Sequence, residues 1–326
     1  MIKHLANKSR YDLMNYRRCG NSGLLLPVIS LGLWQNCISL NFVRDIVINC
    51  FDQGLTHFDL ANNYGPPAGK AEEVFGKIIS NELNHYRDEL IISTKAGYDM
   101  WGGPYGDWGS RKYLIASIDQ SLKRMKLNYV DIFYHHRPDM NTPLEETIGA
   151  LSDIVKSGKA IYAGISNYSG DRIVEAKDIA NRLFLPLIVN QVKYNMFDRE
   201  AEDNVLNQCS STGQGVIAFC PLSQGLLTDK YLNGIPSNSR AASNKNLSGK
   251  LNKEYLFKIN NLNDFAKKRG QSLAEMALTW LLRHQDLTSV IIGVSRLEQL
   301  KINFKASKAP ILSNEELNKI DQILLE

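Results

Sequence analysis

The chain has 326 residues, of which 44% are hydrophobic and 22% charged, and its formal net charge is +4. This mixture is typical of globular proteins with a sizeable core, and it gives no indication of disorder. The longest basic clusters are short, Arg17-Arg18 and Lys267–Arg269. Because nucleic-acid binding usually needs a concentrated basic face, the charge argues against a nucleic acid as partner.

Cysteine usage and hydropathy bear on the compartment. The cysteines are scattered without a C-x-x-C pair, at Cys19, Cys37, Cys50, Cys209 and Cys220. This pattern argues against a disulfide framework or a zinc site and fits a reducing compartment. No apolar run approaches the roughly twenty residues that a membrane-spanning helix needs, and residues 1–18 lack the apolar stretch of a signal peptide. We therefore expect a cytoplasmic protein with no metal ion and no membrane contact.

Short β-branched runs alternate with longer helical patterns along most of the chain. In Arg111–Leu127, for example, Leu114, Ile118 and Leu122 fall on one face of a helix. The predicted strands are Val28–Trp34, Thr56–Ala61, Leu90–Ala96, Tyr129–His136, Ala160–Asn167, Leu187–Val192, Gly215–Pro221 and Ser289–Ser295. Eight such units in a chain of this length predict an α/β fold, a (β/α)8 TIM barrel in one domain over residues 1–326.

Local signals add detail to this barrel. Pro143 followed by two glutamates predicts a helix start, and Ser157-Gly158 predicts its end. Residues 16–28 carry a turn signal and predict an N-terminal β-hairpin. Residues 222–253, after the seventh strand, form a long Asn/Ser/Gly-rich stretch that we interpret as a binding loop. Glu315–Leu325 is amphipathic and predicts an extra C-terminal helix.

Four residues at predicted strand ends carry the candidate chemistry. Asp59, Lys95 and His136 end the second, third and fourth strands, and Tyr64 lies in the loop after the second. Active residues of such barrels lie at the carboxyl ends of the strands, so all four can reach one pocket. Hydride addition to a carbonyl leaves an alkoxide that needs a proton, and a tyrosine is a weak acid at neutral pH. A nearby ammonium, itself held by a carboxylate, would lower the tyrosine pKa, which indicates carbonyl reduction.

Several segments together resemble the aldo-keto reductase family over nearly the whole chain. They are THFDLANNYG (56–65), IISTKAG (91–97), DIFYHHRPD (131–139), GISNYS (164–169) and AFCPLSQGLLTDKYLNGIPSNSR (218–240). The chain is most similar to the branch that holds bacterial L-glyceraldehyde-3-phosphate reductases and potassium-channel β subunits. The resemblance implies a catalytic tetrad of Asp59, Tyr64, Lys95 and His136. Adjacent strand residues face opposite sides, so only one of His135 and His136 can enter the barrel mouth, and the resemblance implies that it is His136. The channel branch typically has Asn at this position, so a histidine favours an enzyme.

The resemblance also implies a nicotinamide cofactor. There is no strand-coupled G-x-G-x-x-G, and residues 65–70 (GPPAGK) only mimic a P-loop. The resemblance implies that Trp34, Asp59 and Tyr64 contact the cofactor. It implies that Ser166, Asn167 and Gln191 bind the carboxamide and that the ring stacks on Phe219.

The same pattern implies the phosphate contacts. The pyrophosphate would lie at Pro221, Leu222, Gln224 and Gly225, with Lys230 and Arg240 reaching its charges. The adenosine 2′-phosphate would lie at Ser295, Arg296, Gln299 and Asn303, where a helix N-terminus favours an anion. An arginine beside that phosphate is why we expect NADPH as the cofactor.

The sequence thus predicts NADPH-dependent reduction of a small-molecule aldehyde, short-chain or phosphorylated such as L-glyceraldehyde 3-phosphate. One alternative is a non-catalytic NADPH-binding regulatory subunit of a membrane protein. Another is an isomerase or aldolase in which Lys95 forms a Schiff base. Trp101, Tyr105 and Trp108 in loop 98–111 could wall the pocket, form a packed lid or contact another subunit. The oligomeric state stays open, a homo-oligomer included.

Overall fold

Eight parallel strands close into a barrel in the computed structural model, which describes residues 3–34, 39–237 and 239–325. An antiparallel hairpin of β1 (Tyr16–Arg18) and β2 (Leu25–Pro27) precedes it. The barrel strands are β3 (Ile29–Gly32), β4 (His57–Asp59), β5 (Ile91–Ala96), β6 (Val130–His135), β7 (Ala160–Ser166), β8 (Leu187–Lys193), β9 (Gly215–Phe219) and β10 (Leu287–Ile292). They follow chain order around the barrel, and β10 pairs with β3. The predicted barrel and hairpin are confirmed.

Twelve α-helices occur in the described residues. They are α1 (Leu40–Asp52), α2 (Lys70–Ile78), α3 (Arg111–Met125), α4 (Leu144–Lys156), α5 (Gly170–Arg182), α6 (Val205–Ser211), α7 (Arg240–Ser243), α8 (Lys245–Lys250), α9 (Lys253–Lys268), α10 (Leu273–Leu282), α11 (Leu297–Lys305) and α12 (Asn314–Leu325). Pro143 is the N-cap of α4, and Gly158, just beyond its end, has a left-handed φ of +75°, as the sequence predicts. The extra C-terminal helix is confirmed as α12.

Two sequence predictions need correction in their bounds. The last strand begins at Leu287 and ends at Ile292, whereas the sequence predicted Ser289–Ser295. Residues 293–296 instead turn into α11, so Ser295 lies before a helix and not in a strand. The stretch 222–253 is not a plain loop, because it contains the short helices α7 and α8.

The barrel interior is apolar on one side and polar on the other. Ile132, Tyr134, Val189 and Ile217 cluster inside it with Cys19 and Leu26 of the hairpin, which cover its floor. The polar side is formed by Ser30, His57, Asp59, Ser93, Lys95 and Ser289, each at most 2% exposed. Buried polar groups need partners inside the protein, so this side must form a connected hydrogen-bond network.

The described cysteines are free thiols. Cys19, Cys50 and Cys209 are buried and Cys220 is half-buried, while Cys37 lies outside the described residues. In residues 3–34, 39–237 and 239–325, no helix has the length and apolarity to cross a membrane. The one-domain interpretation of residues 1–326 stays a prediction.

Two fully buried histidines make stability depend on pH. Burial lowers the pKa of His57 and of His135 from 6.5 to about 4. The unfolded chain therefore binds protons below pH 6.5 that the folded chain rejects, and stability falls as pH falls from 6.5 to 4. Each histidine accounts for about 3 kcal/mol over this window.

We expect His135→Gln to flatten this acid dependence, because one of the buried histidines that take up a proton on unfolding is then missing. The free energy of unfolding by urea, measured from pH 7.5 to pH 4, checks this. His85→Gln, at an exposed histidine, is the matched control and should keep the wild-type slope. The same slope in both variants would contradict the assignment.

Candidate active site

The four predicted catalytic residues meet at the carboxyl ends of β4, β5 and β6. Asp59 ends β4, Lys95 lies near the end of β5, His136 directly follows β6, and Tyr64 lies in the loop after β4. Lys95 is completely buried and donates a hydrogen bond to the Asp59 carboxylate. The structure therefore brings all four residues into one group.

The Lys95 ammonium has an acceptor for each of its three N–H bonds. Besides the Asp59 carboxylate, it donates to the Leu60 carbonyl oxygen at 2.8 Å and to the Tyr64 hydroxyl at 3.5 Å. Burial lowers the pKa of Lys95, and the Asp59 charge opposes this shift. Three acceptors, one of them a carboxylate, favour the charged form, which has no free electron pair for Schiff-base formation.

The Tyr64 hydroxyl is held as a protonated phenol. Burial raises its pKa well above 10, and the Asp59 charge adds to this effect. The expectation that the ammonium keeps this pKa low is therefore not met. Instead, the phenol retains its proton at neutral pH, and Lys95 can stabilise the phenolate once the proton has left.

The two neighbouring histidines lie on opposite sides of β6. The His136 ring packs edge-on against Tyr64, with centroids 5.9 Å apart, and against Tyr98 at 4.7 Å. Burial lowers its pKa well below 6.5, with Lys95 adding to the shift, so the ring is neutral. His135 Nδ1 lies 2.7 Å from the Tyr168 hydroxyl. Only His136 contacts Tyr64, as strand alternation requires.

The Asp59 carboxylate is fixed by two further donors. Its Oδ1 accepts hydrogen bonds from the Ser93 hydroxyl at 2.7 Å and from Gln191 Nε2 at 3.2 Å. Sequence reasoning missed Ser93 and, behind it, His57, whose Nε2 lies 3.0 Å from Ser93 Oγ. A signal existed, because each precedes a tetrad residue on its strand by two positions and so shares its face.

The predicted carboxamide-binding residues also come together. Ser166 ends β7, and the neighbouring Asn167, with φ of +61°, donates through Nδ2 to Ser166 Oγ at 3.1 Å. The Asn167 N–H donates to the Gln191 carbonyl oxygen at 2.9 Å. Phe219 ends β9 half-buried. Gln191 Nε2 already donates to Asp59, so a ligand would compete with Asp59 for this group.

The loop after β9, predicted to hold the pyrophosphate, has an unusual backbone. Cys220, Ser223 and Gln224 have φ of 53°, 46° and 57°, and Gly225 has φ of 98°. Left-handed conformations at three non-glycine residues are energetically unfavourable and typical of functional loops. The predicted contacts Pro221 and Leu222 lie within this turn, the first buried and the second half-buried.

Three predicted phosphate-binding cations converge near this loop. Burial lowers the pKa of Lys230, and the charges of Arg296 and Arg240 lower it further. The Arg240 guanidinium lies 5.4 Å from the centroid of the exposed Trp34 ring. Within the described parts of the chain, none of the three cations pairs with a carboxylate. Uncompensated cations that repel one another fit a multiply charged anion such as the phosphates of a dinucleotide.

The start of α11 holds the remaining predicted contacts. Gln299 Oε1 accepts from the Ser295 N–H at 2.7 Å and from the Arg296 N–H at 3.2 Å. An anion at this helix start would therefore compete with the Gln299 side chain for these donors. Asn303 is only 2% exposed, whereas the other three residues are at least partly exposed. The structure thus places Asn303 less accessibly than the sequence suggested.

The aromatic loop 98–111 divides into a packed and an exposed part. Trp101 packs against Tyr113, with ring centroids 5.2 Å apart, whereas Tyr105 and Trp108 are 56% and 44% exposed. Sequence reasoning missed Arg137, whose guanidinium lies 3.7 Å from the Trp108 ring centroid and 4.2 Å from that of Tyr98. This stack links the loop to the residue next to His136.

Comparisons with known proteins agree with this geometry. The model of the aldo/keto reductase family matches residues 28–325. The chain is 53% identical to L-glyceraldehyde 3-phosphate reductase of Escherichia coli (strain K12), over 98% of this chain and 94% of that protein. It is 39% identical to a probable voltage-gated potassium channel subunit beta of Arabidopsis thaliana, over 95% of this chain and 97% of that protein. The chain is therefore an oxidoreductase that belongs to the aldo/keto reductase family.

Proposed function

We propose that the protein reduces aldehydes with NADPH and that Tyr64 supplies the proton. The observation that carries this proposal is the line from the buried Asp59 through the buried Lys95 ammonium to the Tyr64 hydroxyl, 3.5 Å from Lys95 Nζ. Family membership supports carbonyl chemistry with a nicotinamide cofactor. The 53% identity to proteins named L-glyceraldehyde 3-phosphate reductase supports a short, phosphorylated aldehyde as substrate.

Each tetrad residue has a distinct task in this proposal. NADPH, when bound, supplies the hydride. Tyr64 donates its proton to the oxygen that gains negative charge, and Lys95 stabilises the resulting phenolate. Asp59 keeps Lys95 charged, and the neutral His136 ring can donate one hydrogen bond to the substrate oxygen. Lys230, Arg240 and Arg296 would bind the cofactor phosphates.

Neither alternative has comparable support. A non-catalytic regulatory subunit does not need the Asp59–Lys95–Tyr64 arrangement, and identity to the channel-subunit relatives is lower, 39% against 53%. Schiff-base chemistry needs an uncharged amine, whereas the surroundings of Lys95 favour the ammonium.

Tyr64→Phe should retain NADPH binding and lose most activity, because the ring stays and only the proton donor is removed. General acid catalysis predicts a fall in kcat of roughly 10²–10⁴-fold. Steady-state kinetics and a fluorescence titration with NADPH measure both. Tyr105→Phe, at an exposed tyrosine, is the matched control. A kcat near wild type would remove Tyr64 from the mechanism.

Arg296→Leu should weaken NADPH much more than NADH, because only NADPH carries the 2′-phosphate. A charge-assisted contact predicts a loss of about 10–150-fold in NADPH affinity. Titrations with both cofactors measure this. Lys301→Leu removes a charge from an exposed position of the same helix and should affect the two cofactors little. Equal losses for both cofactors in Arg296→Leu would show that Arg296 does not bind this phosphate.

Lys95→Met should impair catalysis and move the pH profile of alcohol oxidation upward. Oxidation needs the Tyr64 phenolate, and without the ammonium the phenolate forms only at higher pH. Kinetics of oxidation across pH measure the shift. Borohydride treatment with substrate, followed by mass spectrometry, should leave Lys95 of the wild-type protein unmodified. Substrate attached at Lys95 would support an aldolase-type enzyme instead.

A further inference from the structure

A row of buried polar groups runs through the barrel interior from Asp59 towards the hairpin. In order, it consists of Asp59 Oδ1, Ser93 Oγ, the His57 ring with Nε2 and then Nδ1, Ser30 Oγ, Ser289 Oγ and the Pro27 carbonyl oxygen. The five successive contacts measure 2.7, 3.0, 2.8, 2.7 and 2.7 Å. The row connects β2, β3, β4, β5 and β10, and none of its side chains is more than 2% exposed.

The number of protons in this row limits which of its contacts can be hydrogen bonds. Both ends, a carboxylate and a carbonyl oxygen, can only accept hydrogen bonds. Each of the three serines brings one proton and a neutral histidine brings one, so four protons serve five contacts. One contact must therefore lack a proton, and the tautomer of His57 decides where that gap lies.

Of the five contacts, the one between Ser93 and Asp59 gains most from having a proton. A hydrogen bond to a charged carboxylate is about twice as strong as one between neutral groups, so Ser93 donates to Asp59. Ser93 then has no proton left for His57 Nε2, and the two neutral tautomers differ in where the missing proton falls. With Nδ1–H, the 3.0 Å contact between Ser93 and Nε2, next to the charged carboxylate, has no proton. With Nε2–H, His57 donates to Ser93 and strengthens the Ser93 bond to Asp59, so the Asp59 charge favours this tautomer. His57 Nδ1 is left unprotonated and accepts from Ser30. The gap falls at Ser289, which can donate either to Ser30 or to Pro27.

We propose that His57 and Ser93 are positioning residues, with His57 as the neutral Nε2–H tautomer donating to Ser93 and Ser93 donating to Asp59. Aligned hydrogen bonds strengthen one another, so the row stabilises the Asp59 charge that holds the Lys95 ammonium. The titratable groups that face His57 are Asp59 on its own strand and Lys95 on β5, while β3 and β10 contribute only serines. The catalytic consequence rests on the proposed function, but the tautomer does not.

The tautomer can be observed directly by NMR of the full-length protein labelled with ¹⁵N-histidine at pH 7. The His57 signals are identified by their loss in His57→Gln. We expect a protonated Nε2 and an unprotonated Nδ1, whose nitrogen resonates far downfield. A protonated Nδ1, alone or together with a protonated Nε2, would overturn the proposal.

Kinetics test the effect on the reaction. Without the Ser93 hydrogen bond, the Asp59 carboxylate interacts more strongly with the Lys95 ammonium. Lys95 then stabilises the Tyr64 phenolate less. Ser93→Ala should therefore lower kcat by roughly 10-fold to 100-fold and move the pH profile of alcohol oxidation upward, with NADPH affinity unchanged. His57→Leu should do the same, and His57→Gln, which retains an N–H donor, should restore much of the activity.

A buried serine outside the row provides the control. Ser152 in α4 is 2% exposed, and its hydroxyl has no hydrogen-bond partner among the described residues. Ser152→Ala should leave the pH profile unchanged. An unshifted profile in Ser93→Ala, with Tyr64→Phe inactive, would overturn this inference alone. An active Tyr64→Phe would overturn the proposed function, and the NMR result would still decide the tautomer.

Discussion

The ion pair between Lys95 and Asp59 is the constraint on which the rest of this structure depends. Both side chains are buried, 0% and 2% exposed, and burying such ions costs on the order of several kcal/mol each. The cost is offset only where the remaining donors and acceptors are also satisfied. Leu60 and Tyr64 accept from the ammonium, and Ser93 donates to the carboxylate. The polar side of the barrel interior can be understood as the surroundings that this pair requires.

This requirement explains how the barrel divides its interior. Ser30, His57, Asp59, Ser93, Lys95 and Ser289 line the polar side from β3, β4, β5 and β10, while apolar side chains such as Ile132 and Ile217 fill the other side. Leu26 and Cys19 of the hairpin cover the floor, which limits the access of water to the ion pair from below. Low local polarity strengthens every hydrogen bond in the network and makes any unsatisfied group costly. The hairpin thus belongs to the functional architecture, although no predicted site residue lies in it.

The sequence predicts the barrel and the grouping of four polar residues at its strand ends because both depend on local patterns. β-Branched runs mark the strands, and strand ends mark Asp59, Lys95 and His136. The prediction from sequence was wrong where one composition is typical of two kinds of local structure. The Asn and Ser residues of 222–253 suggested a loop, yet Asn244 and Asn252 are N-caps whose side chains accept from the first turns of α8 and α9. The stack of Arg137 on Trp108 joins separate loops, and no local pattern indicates it.

The candidate site contains positive charges in two different environments, one buried and paired and the other partly exposed and unpaired. Lys95 is buried and fully compensated, so its charge is a permanent part of the fold. Lys230, Arg240 and Arg296 remain partly in water, and none pairs with a carboxylate among the residues that the structure describes. Burial lowers the pKa of Lys230, and the charges of Arg296 and Arg240 lower it further. Solvent makes this arrangement tolerable, but it is less stable than a paired one. A bound polyanion would relieve the repulsion, because each cation would then gain an anionic partner. The fold itself would not have to bury a further ion pair. The first kind of charge suits chemistry that must be ready before a ligand arrives, and the second suits reversible binding.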